Sequence, residues 1–284
     1  MILAFISCNK NEKTGIKPTQ TDTSKVIKDI YLVGNTFKPY PNQYSAATYW
    51  KNGNPVYLTD GTQIASANAI AVVGNDVYVA GNIPTSGPSI ATYWKNGANE
   101  SLNINGAYAS YASSMAVLGS DIYVAGSITL GISAFSYPEA TYWKNGNPVT
   151  LTSKSTYSIA NAIFITGNDI YISGYMVDTT TGIAIAMYWK NGTPVYLSDG
   201  SSNAYANAIT VGSDIYVAGS VNNRAVYWKN GISYNLQANN LVCFSASSIA
   251  LNGSDVYILG TMTSALGTDP SDYAPTNFIY WKME

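Results

Sequence analysis

The chain has no histidine, and only 11% of its 284 residues are charged, where a globular domain usually carries about a quarter. The first absence removes the commonest general base and the commonest metal ligand. Two cysteines, Cys8 and Cys243, are too few for a cysteine-built zinc site. No apolar run is long enough to cross a bilayer as a helix, and no stretch sustains a helical apolar period. Positive charge is scarce too. Five lysines and two acids, Glu12 and Asp22, fall within residues 1–28, which leaves the rest of the chain with 9 basic and 14 acidic residues, a balance of −5. A phosphate backbone is held by basic surface, so nucleic acid is not expected as a partner.

What is present is repetition. Tyr-Trp-Lys occurs six times, at residues 49–51, 93–95, 142–144, 188–190, 227–229 and 280–282, and these account for every tryptophan. A second motif, Asp-(Val/Ile)-Tyr-x-x-Gly, keeps step with it, starting at Asp29, Asp76, Asp121, Asp169, Asp214 and Asp255. Successive steps are 47, 45, 48, 45 and 41 residues. A period of this length, in a sequence rich in short strand-like runs and with 24 tyrosines, predicts one four-stranded unit copied around a β-propeller.

Residues 67–102 show the unit. Ala67 to Val73 reads as a first strand, small residues giving way to β-branched ones, and Gly74-Asn75 as a tight turn. Asp76 to Gly81 is a second strand. After a variable loop, Ile90 to Lys95 is a third, closed by Asn96-Gly97, the strongest two-residue hairpin signal. A weak fourth strand is expected near Glu100 to Asn103. It is clearer as Pro55 to Leu58, Pro148 to Leu151 and Pro194 to Leu197, where the leading proline suits an edge that can spare a donor. Both faces of the second and third strands are apolar, as a blade pressed between neighbours requires. Small first-strand residues, such as Ala67, Ala112, Ala160, Ala206 and Ala246, suit the crowded innermost position. The expected fold is therefore all-β: a six-bladed propeller over residues 29–284 with four-stranded antiparallel blades.

The chain stops after a third strand, and the first blade needs an inner strand before Asp29. Counting back about 20 residues, the usual distance from a fourth strand to the next Asp, reaches residue 9. Residues 9–28 are thus expected to close the ring, lending a strand to each terminal blade. Upstream, Met1 to Ser7 is a short apolar run ending in a small residue before Cys8, and polar residues follow. It looks like the end of a lipoprotein signal with Cys8 lipidated, though it lacks a basic n-region and is short; the other reading is an accidental apolar start. The unit Ala-Thr-Tyr-Trp-Lys-Asn-Gly-x-Pro-Val-x-Leu, followed by Ala-Asn-Ala-Ile and Val-Tyr-Val-Ala-Gly, resembles the repeats of bacterial extracellular proteins of the HAF family. It is also similar to kelch repeats, but has a single glycine and an adjacent Tyr-Trp pair. The resemblance runs from Asp29 to Lys282 and implies an extracellular propeller without naming a catalytic residue.

Repeated residues do what every blade needs, so the six Asp and six Lys are read as turn caps or pairs within blades. Removing them and the tail leaves Lys38, Lys154 and Arg224 as bases, and Asp60, Glu100, Glu139, Asp178, Asp199, Asp269, Asp272 and Glu284 as acids. Asp269 and Asp272 share a loop that is either an Asx-turn or a calcium loop without the usual ligand spacing. No carboxylate pair for glycoside hydrolysis stands out. The six tryptophans read as inter-blade packing rather than as sugar platforms, because a large aromatic repeated in mid-strand buries its area. Cys243, beside Leu241, Val242 and Phe244, reads as a small buried hydrophobe.

Strand parity locates a binding face. The tight turns share one rim of the propeller, and the variable loops share the other, where function usually resides. The inner strands begin on that loop rim with Asn68, Ser113, Asn161, Asn207 and Ser247. A ligand is expected over this polar ring, touching also Arg224 and the loop tyrosines Tyr137, Tyr175 and Tyr273. Other tyrosines outside the repeat are Tyr40, Tyr44, Tyr108, Tyr157 and Tyr205. No catalytic residue, cofactor or metal is nominated. Three functions stay open. The preferred one is a non-enzymatic, monomeric, extracytoplasmic module binding a glycan or cell-surface protein, lipid-anchored at Cys8. The others are a polysaccharide lyase or hydrolase using loop carboxylates, and a purely structural surface lipoprotein.

Overall fold

A computed structural model describes residues 29–37, 44–84, 87–102, 106–131, 136–153, 156–237, 242–263 and 277–283. Among them there is no helix, and six antiparallel sheets of three or four strands follow one another along the chain. The first blade holds β1 (Tyr31–Phe37), β2 (Ser45–Lys51) and β3 (Asn54–Tyr57). The second holds β4 (Ser66–Val73), β5 (Asp76–Pro84), β6 (Ser89–Lys95) and β7 (Ala98–Ser101). The third holds β8 (Ala107–Leu118), β9 (Asp121–Leu130), β10 (Pro138–Lys144) and β11 (Asn147–Thr150). The fourth holds β12 (Ser158–Thr166), β13 (Asp169–Val177), β14 (Ala184–Lys190) and β15 (Thr193–Tyr196). The fifth holds β16 (Ala204–Val211), β17 (Ile215–Val221), β18 (Arg224–Lys229) and β19 (Ile232–Asn235), and the sixth β20 (Val242–Asn252), β21 (Asp255–Thr263) and β22 (Asn277–Met283). The meander order and the packing of each inner strand on the preceding blade are those of a propeller.

The repeated motifs explain themselves at the tight-turn rim. In the Asn-Gly turns both central residues have positive φ, for example Asn191 at 52° and Gly192 at 83°, the geometry of a type I′ hairpin. The Asn191 side chain accepts from the Ile170 amide (2.8 Å) and donates to Asp169 (2.8 Å). The same carboxylate accepts from the Tyr171 hydroxyl (3.3 Å) and pairs with Lys190 (3.0 Å). The Asp–Lys pair recurs in all six blades. Hydrogen bonds from Asn191, then the pairing with Lys190, hold the Asp169 carboxyl below its usual range. The pairs lie at the surface, where each ion pair contributes little by itself; the turn geometry is the larger part of the pin.

Between blades the repeat buries tryptophan. Trp94, Trp143, Trp189 and Trp228 are 0–1% exposed, each lodged in a cluster joining its blade to the preceding one. The motif glycine has a related cause. A methyl group on Gly126 would lie 1.8 Å from the Tyr111 carbonyl oxygen, because β8 carries a bulge between Ala112 and Ser114 at that level. Only a residue without Cβ lets the strands approach there.

The outer strands start one residue earlier than the prolines indicated, and in the second blade the strand is Ala98–Ser101 rather than Glu100 to Asn103. The leucine that follows turns inward and is buried, as Leu102, Leu197 and Leu236 show, and its amide donates to the third strand. Cys243 is buried in the cluster joining the fifth and sixth blades. Among the described residues the first blade has no inner strand and the sixth no outer strand. The closing segment 9–28, Cys8 and the Asp269–Asp272 loop lie outside those residues.

Candidate functional site

The five polar ring positions all fall at the same structural point, the bulge of an inner strand. Asn68, Asn161 and Asn207 sit where the register shifts between Ala67/Ala69, Ala160/Ala162 and Ala206/Ala208; Ser113 and Ser247 occupy the matching sites. A bulge turns one side chain out of the ladder, and here that side chain reaches the next blade. The Asn68 amide donates to the Ala112 carbonyl (2.7 Å), Asn161 to Ala206 (2.9 Å), and Asn207 to Ala246 (2.9 Å) and the Ser245 hydroxyl (2.9 Å). These three asparagines are therefore clasps between neighbouring blades as well as members of the ring. Ser247 is exposed and donates to its own blade at Leu259 (3.3 Å). Arg224 opens β18 beside the Asn222-Asn223 turn and is exposed. Tyr273 lies outside the described residues.

Tyr137 and Tyr175 are brought together through two further tyrosines outside the repeated motifs, Tyr157 and Tyr205. Tyr137 leads into β10, Tyr157 leads into β12, Tyr175 lies near the end of β13 and Tyr205 near the start of β16. Each is thus at the loop-rim end of its strand. Their rings form an unbroken row: Tyr137 to Tyr157 at 6.2 Å and 64°, Tyr157 to Tyr175 at 6.2 Å and 31°, Tyr175 to Tyr205 at 4.9 Å and 81°. Edge and tilted contacts in this distance range are mutually attractive. Tyr137, at one end, is 52% exposed, and the other three are half-buried. Burial pushes the Tyr175 phenol well above its ordinary range, and the Tyr157 hydroxyl beside it adds to the shift. Tyr175 is accordingly a neutral hydrogen-bond donor in neutral solution, not a base. The residue pattern held one usable signal for this row: strand parity puts all four positions on one rim of three consecutive blades.

Three of the described loop carboxylates are engaged in turns. Asp60 accepts from Thr62, Asp178 from the amides of Thr180 and Thr181, and Asp199 from Ser201. Hydrogen bonds from Thr181 and Thr180 hold Asp178 below its usual value, and those from Ser201 do the same for Asp199, the opposite of what a general acid needs. Glu139 is buried in β10 and Glu100 is exposed on β7. Among the described residues no three acidic or cysteine side chains gather closely enough to hold a metal ion.

No protein-family model matches the chain, and no curated protein does. Solved structures do resemble it in shape. The polysaccharide lyase Uly1 aligns with a TM-score of 0.50 and 11% identity, over 89% of this chain and 74% of that one. An acylaminoacyl peptidase from Pyrococcus horikoshii aligns at 0.49 and 13%, over 89% and 43%. The Bombyx mori GH32 beta-fructofuranosidase BmSUC1 aligns at 0.40 and 9%, over 69% and 54%. The chain thus spans 54% of the length of the fructofuranosidase and 43% of the peptidase. At 11% identity the likeness to the lyase is one of fold alone.

Proposed function

We propose that the protein is a non-enzymatic, extracytoplasmic binding module that takes a glycan on its loop rim. The observation that carries this reading is the row Tyr137–Tyr157–Tyr175–Tyr205. A sugar ring presents an apolar C–H face to an aromatic ring and hydroxyls to phenolic oxygens, and neutral phenols along a rigid rim offer both. Asn68, Ser113, Asn161, Asn207, Ser247, Arg224 and Tyr273 would complete the contact set around the channel mouth. A glycan-array screen of the purified protein, followed by titration of the best hit, tests the proposal. Tyr137→Ala and Tyr205→Ala should each weaken binding at least tenfold while leaving the melting temperature in place. Equal binding by these variants, or capture of protein ligands with no glycan bound, overturns it.

The HAF-like repeats and the Cys8 pattern support placement outside the cytoplasm on a lipid anchor. Incorporation of a labelled fatty acid that disappears in Cys8→Ser is the corresponding measurement. A polysaccharide-acting enzyme is the weaker reading, because Asp60, Asp178 and Asp199 are committed to turns and a shape likeness to a lyase does not carry its chemistry. The ring is read as closed by the residues ahead of Asp29.

A further inference from the structure

The dipeptide Asn-Gly occurs seven times in the chain. It is the pair most prone to lose its side-chain amide spontaneously, because no Cβ shields the glycine nitrogen from the asparagine carbonyl carbon. Five of the seven are the turns after the motif lysine, and there the fold withholds the asparagine. Asn52, Asn96, Asn145, Asn191 and Asn230 each donate from Nδ2 to the motif Asp at 2.7–2.8 Å. Each also accepts at Oδ1 from the amide after that Asp, at 2.8–2.9 Å. Both ends of the amide are held by the neighbouring strand. The carbon between them cannot swing to its own glycine until two hydrogen bonds break. A sixth pair, Asn105-Gly106, has its asparagine outside the described residues.

The seventh, Asn252-Gly253, lies in a different turn, the one between β20 and β21. In the second to fifth blades the residue before the glycine of this turn is Val73, Leu118, Thr166 or Val211, and among these blades only the sixth has asparagine there. Asn252 is exposed, and its side chain makes no hydrogen bond among the described residues. Gly253 follows with φ 65° and an amide that makes none either. The reacting carbon and nitrogen are thus neighbours, exposed and unrestrained. We propose that Asn252 is a deamidation site of the folded protein, modified by its own backbone and water. The Gly253 nitrogen attacks the Asn252 side-chain carbonyl carbon. The new C–N bond closes a succinimide ring, and the bond to Nδ2 breaks, so that ammonia leaves with the amide proton. Water then opens the ring. Cleavage at the side-chain carbonyl gives aspartate on an ordinary backbone, and cleavage at the main-chain carbonyl gives isoaspartate, with one extra carbon in the backbone of the turn. Either product acts at one place. Asn252 stands opposite Asp255, and like charges directly opposite repel. Asp255 holds Lys282 at 2.9 Å and accepts from Tyr257 at 3.3 Å, but Met283 follows that lysine, so no asparagine locks this pin as in the other five blades. The blade with the least reinforced pin carries the reactive asparagine.

The test is to age the full-length protein in mildly alkaline buffer and map its peptides by mass, with an isoaspartate assay beside it. Aspartate and isoaspartate should accumulate at Asn252 at least about tenfold faster than at Asn52, Asn96, Asn145, Asn191 or Asn230, since two hydrogen bonds hold each of those back. In the chain unfolded by denaturant all six should react at one common rate, because glycine follows each of them. Asp169→Ala frees Nδ2 of Asn191 and should speed the reaction at Asn191 and at no other pinned site. Equal rates at the six sites in the folded protein overturn the proposal. So does a difference that survives unfolding, an Asn252 that keeps its amide while pinned sites react, or an Asn191 unmoved by Asp169→Ala.

Discussion

The two rims of the propeller are built from the same strands and obey different rules. On the tight-turn rim each blade repeats one Asp–Tyr–Lys pin, and five of the six add an Asn-Gly turn. On the loop rim the connections differ from blade to blade, and the side chains that gather there, Tyr137, Tyr157, Tyr175 and Tyr205, come from places outside the recurring motifs. Repetition marks what a blade must do to fold. Departure from repetition marks what the molecule can do besides folding. The Asn clasps lie between these cases: repeated in three blades, placed on the loop rim, and bonded to the next blade.

The comparison breaks most visibly in the blade core. Trp143→Ala should destabilise by about 3–5 kcal/mol, because a wholly buried indole leaves a cavity. Its N–H has no acceptor among the described residues, so no hydrogen bond to them is lost to enlarge that figure. Calorimetry reads the loss, and binding by the folded fraction should be unchanged; a stable variant that no longer binds would move Trp143 into the site. A step smaller, Gly126→Ala should cost about 1–3 kcal/mol, since the added carbon meets a backbone oxygen and a strand must shift.

At the pinned rim, Asn145→Ala should cost about 1–2 kcal/mol in denaturant unfolding: it removes two hydrogen bonds and places alanine at φ 50°. The pins also set an acid response. The carboxyls of Asp76, Asp121 and Asp169 are depressed in the folded state. Their stabilisation is therefore present above the unfolded value of about 3.9 and is lost as pH falls through the lower folded values. Melting temperature should drop below about pH 4, and Asp121→Asn should flatten that drop by a small amount. A slope identical to the wild type would remove the pins from the account. Smallest in stability is Tyr137→Ala, within about 0.5 kcal/mol for an exposed side chain, yet it should abolish most glycan binding. If instead the turn-side variants lose binding and the tyrosine variants keep it, the functional contrast between the rims is reversed.

The repeat made the blades legible: the Asp and Tyr-Trp-Lys motifs locate second and third strands, and Asn-Gly locates their turns. The bulges were not legible. Nothing in Ala-Asn-Ala announces that the ladder slips by one residue there, and the acceptor its asparagine reaches lies about 45 residues away on the next blade. Ring asparagines were readable as a polar mouth, whereas their partners belong to tertiary structure. Tyr137 and Tyr175 were readable as candidates one at a time. Their connection through Tyr157 was not, since each ring comes from a separate chain segment. Lone acids such as Asp178 and Asp199 looked chemical until their local turns came into view, a competition that short polar side chains often settle in favour of their own backbone.

The six tryptophans also make the molecule its own optical gauge. Four are sealed between blades, while Trp50 and Trp281, at the two terminal blades, are only partly covered, and Trp281 donates its indole N–H to the Gln237 carbonyl at 2.9 Å. Emission from the sealed four lies to the blue and resists a soluble quencher, and emission from the terminal pair lies to the red and yields to it. The quenchable fraction then reports on Trp50 in the first blade and on Trp281 at the junction of the fifth and sixth, so loosening at those two places can be followed in unlabelled protein while the sealed four stay dark to the probe.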